Sequence, residues 1–236
     1  MELAIDTSSN TTGIALSHEG EILAELTWHC KQNHTVELLP NLIYLLKQIK
    51  EDLHSLSGII IAKGPGSFNG LRVGMSTAKG LAFSLGIPLV GISTLEVEAY
   101  PFTHTKLPLC PIHNASRGEI ATALYQQRDD EWHCLVKEHI TTLDALCKEI
   151  SERTLFCGEI LPSMMLELQQ KLLERTIIPE PPARLRRAGY LAALGWQRLE
   201  RGEWDDPASL QPLYLRRPPI TQPKTKFKRT EKLMRS

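Results

Sequence analysis

Gly64-Pro65-Gly66-Ser67-Phe68-Asn69-Gly70 packs three glycines and a proline into seven residues, between an apolar run ending at Lys63 and a helical pattern continuing to Leu85. The stretch reads as strand, tight loop, helix. Its glycines supply positive φ and close backbone approach, and Ser67 or Asn69 can cap the helix. Such a loop leaves backbone N–H groups free at a helix N-terminus, where an anion can bind. It can equally be only a tight connection holding helix to sheet. A second polar turn, Asp6-Thr7-Ser8, follows the first apolar run. Asp6 has no second carboxylate or lysine beside it in sequence, which suits the capping of a turn. Ser67 lies in no GxSxG elbow, so nucleophilic catalysis is not indicated. Five scattered cysteines without a CxxC pair indicate neither a disulfide framework nor a zinc site, and read as buried thiols.

The elements that must hold these turns follow from periodicity. Residues 2–5, 12–17 and 21–28 read as three antiparallel strands in a meander, the last mixing apolar and polar positions as a half-exposed strand does. A helix over 35–50 carries Val36, Leu38, Leu39, Leu42, Ile43, Leu45, Leu46 and Ile49, roughly half its circumference and more than one core needs. Gly58 to Ala62 reads as a buried central strand. In the helix after the loop, Gly70, Gly74, Ala78 and Ala82 fall at i, i+4 spacing and make a ridge without bulk, for packing inside the chain or against a subunit. A fifth strand spans 87–92, and Ser93 or Thr94 caps another helix. The pattern then restarts: strands at 107–113, 120–126, 131–136 and 154–157, and helices after Thr141, around 164–173 and over 184–201.

The expected architecture is α/β in two lobes, residues 1–103 and a smaller, degenerate 104–216, followed by a tail at 217–236. The chain has 236 residues and no net charge, yet eight Lys/Arg against one Glu from Arg216 to Ser236 place +7 there and −7 on the rest. The tail is expected to be disordered. Lys224, Lys226, Lys228, Arg229 and Lys232 could touch RNA phosphates. No run of eighteen apolar residues occurs and Met1 leads straight into a strand, so a cytoplasmic location without membrane contact is expected.

Three antiparallel strands, helix, strand, helix, strand, helix is the order of the ribonuclease H-like lobe shared by actin-like ATPases. Asp6-Thr7-Ser8 with Gly13-Ile14-Ala15, joined to GPGSFNGLRVGMSTAKGLA at 64–82 and PLYLR at 212–216, resembles the TsaB (YeaZ) family of bacterial tRNA threonylcarbamoyladenosine biosynthesis proteins. The likeness departs from the family pattern at Asn69 and Asn114. It implies a non-catalytic partner of TsaD, the related transferase subunit, with TsaE joining and a homodimer forming when the chain is alone. The catalytic relative carries paired histidines at i, i+4 on its first helix, whereas His34 is followed here by Leu38, so no metal site is expected; His34 reads as a polar residue near a helix start.

The resemblance implies no intrinsic cofactor, ATP or ADP and magnesium entering only at the complex interface, and tRNA met indirectly or through the basic tail. The expected partner surface is Leu38, Leu39, Leu42, Leu45 and Leu46 of the first helix with Gly70, Arg72, Gly74, Met75, Ala78 and Ala82 of the second. Asp6, Thr7, Ser8, Gly64, Gly66 and Ser67 are then a vestigial phosphate site. The alternative is a nucleotide-binding, ATP-dependent transferase or hydrolase using those same turns.

Overall fold

The computed structural model describes residues 1–31, 33–129 and 131–216, so the basic tail lies outside the described residues. Its first sheet holds β1 (Glu2–Asp6), β2 (Thr11–His18), β3 (Glu21–His29), β4 (Gly58–Ala62) and β5 (Leu89–Ile92) in the order β3-β2-β1-β4-β5. The first three form the antiparallel meander, and β4 and β5 run parallel to β1. Every residue of β4, Gly-Ile-Ile-Ile-Ala, is buried, as its continuous apolar run requires of a strand covered on both faces.

The second sheet repeats the scheme. It holds β6 (Leu109–Asn114), β7 (Glu119–Arg128), β8 (Glu131–Thr142), β9 (Thr154–Gly158) and β10 (Thr176–Ile177) in the order β10-β9-β6-β7-β8. The repeat is reduced: β10 has two residues, and α4 (Leu143–Glu149) and α5 (Pro162–Leu172) are shorter than α1 (His34–Gln48) and α2 (Phe68–Leu85) of the first lobe. β8 extends six residues beyond the strand read from sequence at 131–136. A register shift between Thr122 and Tyr125 lets the polar 137–142 segment keep pairing with β7.

The boundary at 103/104 does not separate the lobes, because they exchange their last helices. α3 (Thr94–Ala99) follows β5 in the chain but packs on β6, β7 and β9. There Leu95 and Ala99 meet Leu109, Ala123, Tyr125 and Leu155. Conversely, α6 (Ala188–Glu200) follows the second sheet but lies on the first, where Ala188, Leu191 and Ala192 meet Ala4, Ala15, Ile60 and Val90. α6 begins at Ala188 rather than 184 because Arg186 and Arg187 are drawn out of the helix by carboxylates of the first lobe and α3.

α1 and α2 cover the opposite face of the first sheet, and this corrects most of the expected partner surface. Leu38, Leu42, Leu45 and Leu46 of α1 and Met75, Ala78 and Ala82 of α2 join one core with Leu3, Ile5, Ile14, Leu16, Ile59 and Ile61. Each of these helix residues is at most 5% exposed, so none is available to another chain. Gly70 and Gly74 are buried too, packed on Thr7: a Cβ would lie 2.0 Å from the Thr7 carbonyl oxygen at Gly70 and 2.1 Å from its Oγ1 at Gly74. The small-residue ridge is therefore intramolecular. Of the expected set, Leu39 and Arg72 are exposed.

Candidate functional site

The turn after β1 is held from three sides. Asp6 Oδ1 accepts from the Ser8 backbone N–H at 2.9 Å and from Ser8 Oγ at 2.6 Å, the Asx-type cap that a lone acid in a polar turn makes. Its Oδ2 accepts from Arg186 Nε at 2.5 Å. The glycine loop closes from the second side: Ser67 N–H donates to the Ser8 carbonyl at 2.6 Å and Thr7 Oγ to the Gly70 carbonyl at 2.8 Å. Ser67 is the N-cap of α2 as expected, accepting from Gly70 N–H. On the third side His34, 3% exposed, places Nε2 3.1 Å from the Ser9 carbonyl. His34 is thus a strut between α1 and the turn.

This closure corrects the phosphate reading. The close approach that Gly66 and Gly70 permit is used by the Thr7-Ser8 backbone itself, since a Cβ at Gly66 would lie 2.2 Å from the Ser8 carbonyl oxygen. Asp6 has both oxygens engaged, and the cation beside it is a guanidinium. A magnesium-nucleotide of the kind this fold class suggests does not fit these residues. Among the described residues no three His, Cys, Asp or Glu side chains converge as a metal site needs.

Arg186 ties the two lobes together. Besides Asp6 it donates from Nη1 to Glu98 Oε1 at 2.5 Å and from Nη2 to Ser9 Oγ at 2.9 Å, its side chain 6% exposed. Burial works against the guanidinium's charge, but Asp6, Glu98 and Glu159 outweigh it and hold its pKa high. Burial pushes Glu98 up to about 8 despite the opposing pull of Arg186, and Glu98 Oε2 has no hydrogen-bond partner among the described residues. Neither residue stood out in the sequence. One signal existed for Glu98, a carboxylate in the short helix Thr-Leu-Glu-Val-Glu-Ala, every residue of which is buried.

Between this turn and the β6–β7 turn opens a cleft. One cavity of about 780 Å³ is bounded by Pro65, Phe68, His113, Arg117 and Tyr214, and an adjoining one of about 450 Å³ reaches Ser9, Ser67 and Glu159. PLYLR forms part of the wall: Leu213 N–H donates to the Lys63 carbonyl at 2.6 Å and Tyr214 packs on Phe68 with ring centroids 5.2 Å apart. His113, at 7% exposure, opens on both cavities; burial lowers its pKa, and its Nδ1 lies 3.4 Å from Glu159 without a hydrogen bond. On the outer face of α1, by contrast, Val36, Leu39, Ile43 and Tyr44 are exposed along one stripe, and Phe83 of the adjacent α2 is 87% exposed. Four of the cysteines are buried and free, and Cys134, expected buried, is exposed on β8.

Two lobes of one topology with exchanged last helices, facing each other across a cleft, define the actin-like ATPase class of folds. The solved activator of 2-hydroxyisocaproyl-CoA dehydratase from Clostridium difficile, with bound ADPNP, shares it at 9% identity and a TM-score of 0.51 over 86% of this chain and 96% of its own. A crystal structure from Pseudomonas aeruginosa, described as an uncharacterized protein with similarity to peptidase YEAZ, superposes with a TM-score of 0.77 at 24% identity, over 91% of this chain and 99% of that one. The model of the family described as TsaD, tRNA N6-adenosine threonylcarbamoyltransferase, matches residues 21–198. The tRNA threonylcarbamoyladenosine biosynthesis protein TsaB of Bacillus subtilis is 35% identical over 217 residues, 91% of this chain and 93% of its own length. The chain belongs to the TsaB proteins of tRNA threonylcarbamoyladenosine biosynthesis, within the wider TsaD family. No helix among the described residues is long and apolar enough to cross a membrane.

Proposed function

We propose that this chain acts in the cytoplasm as a non-catalytic subunit, pairing with the TsaD-type transferase through the outer faces of α1 and α2, with TsaE joining the pair and a homodimer forming when the chain is alone. The observation that carries the reading is the apolar stripe. Val36 is 68% exposed, Leu39 46%, Ile43 37%, Tyr44 54% and Phe83 87%. The four α1 residues share one helical face, opposite leucines locked in the core, so the surface is a rigid platform. Pairing with a related lobe through such a face follows the logic of self-complementary interfaces.

The non-catalytic part rests on the closed turn. Asp6 is held by Ser8 and Arg186, so the ATP-dependent transferase or hydrolase reading lacks the free carboxylate it needs for magnesium. On this reading any ATP or ADP with magnesium would enter only at the partner interface. Light scattering on the chain alone and mixed with its TsaD-type partner tests the pairing. The expected result is a one-to-one complex that Val36→Glu and Leu39→Lys abolish while both variants keep the wild-type melting temperature. Two separate species in the wild-type mixture, even with TsaE and ATP present, would end the reading.

A further inference from the structure

β7 starts at Glu119 beside the cleft and ends at Arg128, and at that far end the lobes meet a second time. A cavity of about 620 Å³ lies there between the β7–β8 hairpin of the second sheet and the end of α6, which covers the first. Small-molecule sites commonly enclose about 300–1,000 Å³. The floor is apolar and fixed. Half-buried Tyr100 and Trp132 meet edge to face with ring centroids 6.1 Å apart, Trp132 stacks on Tyr125 at 5.3 Å, and buried Leu194 lies beside them. The polar atoms of this floor are already engaged: Trp132 Nε1 donates to Glu96 Oε1 at 3.2 Å, and Gln197 Nε2 donates to the Tyr100 hydroxyl at 2.7 Å. Arg198 Nη2 holds both oxygens of Glu96, at 3.2 and 2.9 Å, so that pair is spent on itself. The rim is different. Arg201 and Glu203 line the cavity and make no ion pair among the described residues, and Glu131 opposite has only His133 Nε2, 3.7 Å away. Two carboxylates and one guanidinium therefore surround an aromatic floor. A polyphosphate would face the two acids and a polyamine would face Arg201, whereas a small molecule carrying one charge of each sign meets both.

We propose that this cavity binds a free α-amino acid with an apolar side chain, its carboxylate on Arg201, its ammonium group between Glu131 and Glu203, and its side chain over Tyr100 and Trp132. Arginine matches a carboxylate in a planar fork, and an ammonium group is attracted both by the acids and by the faces of the aromatic rings. The site takes no part in the α1 stripe and is read on the chain alone, so it stands or falls independently of the pairing with a transferase. The test is titration calorimetry of the full chain with L-phenylalanine and L-leucine, and with phenethylamine, N-acetyl-L-phenylalanine and spermidine as controls. At least one of the two amino acids is expected to bind with a Kd below about 1 mM. Phenethylamine lacks the carboxylate and N-acetyl-L-phenylalanine the ammonium group, and each should bind about tenfold or more weakly than L-phenylalanine for want of one charge-assisted contact. Arg201→Met, and Glu131→Gln combined with Glu203→Gln, change exposed side chains and should weaken amino-acid binding about tenfold at the wild-type melting temperature. Four results would overturn the proposal: neither amino acid binding in that range; phenethylamine or the N-acetyl derivative binding as tightly as L-phenylalanine; the variants binding as wild type; or spermidine binding more tightly than both amino acids, which would give the acids to a polyamine.

Discussion

Replacing Arg186 with methionine keeps most of the side-chain volume and removes the only cation in the buried cluster. Asp6 would keep its two bonds from Ser8 but lose its Oδ2 partner, and Glu98 would lose the donor on Oε1 while Oε2 already has none among the described residues. Breaking a buried pair by removing one partner costs about 3–5 kcal/mol. At about 2–4 °C per kcal/mol for a chain of this size, the melting temperature at pH 8 should fall by roughly 6–20 °C.

The pH dependence carries more information than the size of the drop. Burial raises the pKa of Glu98 to about 8 against the lowering by Arg186, and an unfolded glutamate titrates near about 4.3. Between those values the folded chain keeps a proton that the unfolded chain has released, so stability falls as pH rises, by about 1.4 kcal/mol per unit. Without Arg186 the folded pKa rises further and the loss continues above pH 8. Thermal melts of both proteins at pH 6 and pH 8.5 should therefore show the gap between wild type and Arg186→Met widening with pH. Adding Glu98→Gln to Arg186→Met should remove most of that widening. A variant melting within about 2 °C of wild type at both pH values would mean that water solvates Asp6 and Glu98 and that no buried clasp joins the lobes.

Two further perturbations read the corrected packing. Gly70→Ala puts a methyl into the Thr7 carbonyl, 2.0 Å away in the present backbone, and should cost about 1–3 kcal/mol by overpacking, measured as a shift in the urea midpoint without loss of slope. Leu38→Ala and Leu39→Ala should separate cleanly, since Leu38 is 1% exposed and Leu39 46%. The first should lose about 2–5 kcal/mol of stability and the second stay within about 0.5, with Leu39→Ala alone weakening the partner complex at unchanged stability.

The first lobe was legible because its local signals agree. Gly58 to Ala62 could only be a buried strand, the three preceding runs could pair as a meander, and Ser67 stood where a helix needs a cap. The lone acid Asp6 was likewise readable as the cap of its own turn, which it is through Ser8. The orientation of α1 was not legible. Apolar residues cover half of it, so periodicity identifies a helix with two greasy faces without saying which one the sheet takes; Leu38 went inside and its neighbour Leu39 out. The ridge on α2 had the same ambiguity, and only the position of Thr7 under Gly70 and Gly74 resolved it toward the interior.

By itself, then, the sequence determined the order of elements in the first lobe, the restart that builds the second, and the family to which its motifs belong. All of these depend on residues near one another in the chain. The exchange of α3 and α6, the cleft wall that joins Phe68 to Tyr214, and the clasp of Arg186 on Asp6 and Glu98 were decided by tertiary structure alone. The two carboxylates that Arg186 holds lie 88 and 180 residues from it, and an arginine in a polar stretch carries no local mark of the carboxylates it will neutralise once both are buried.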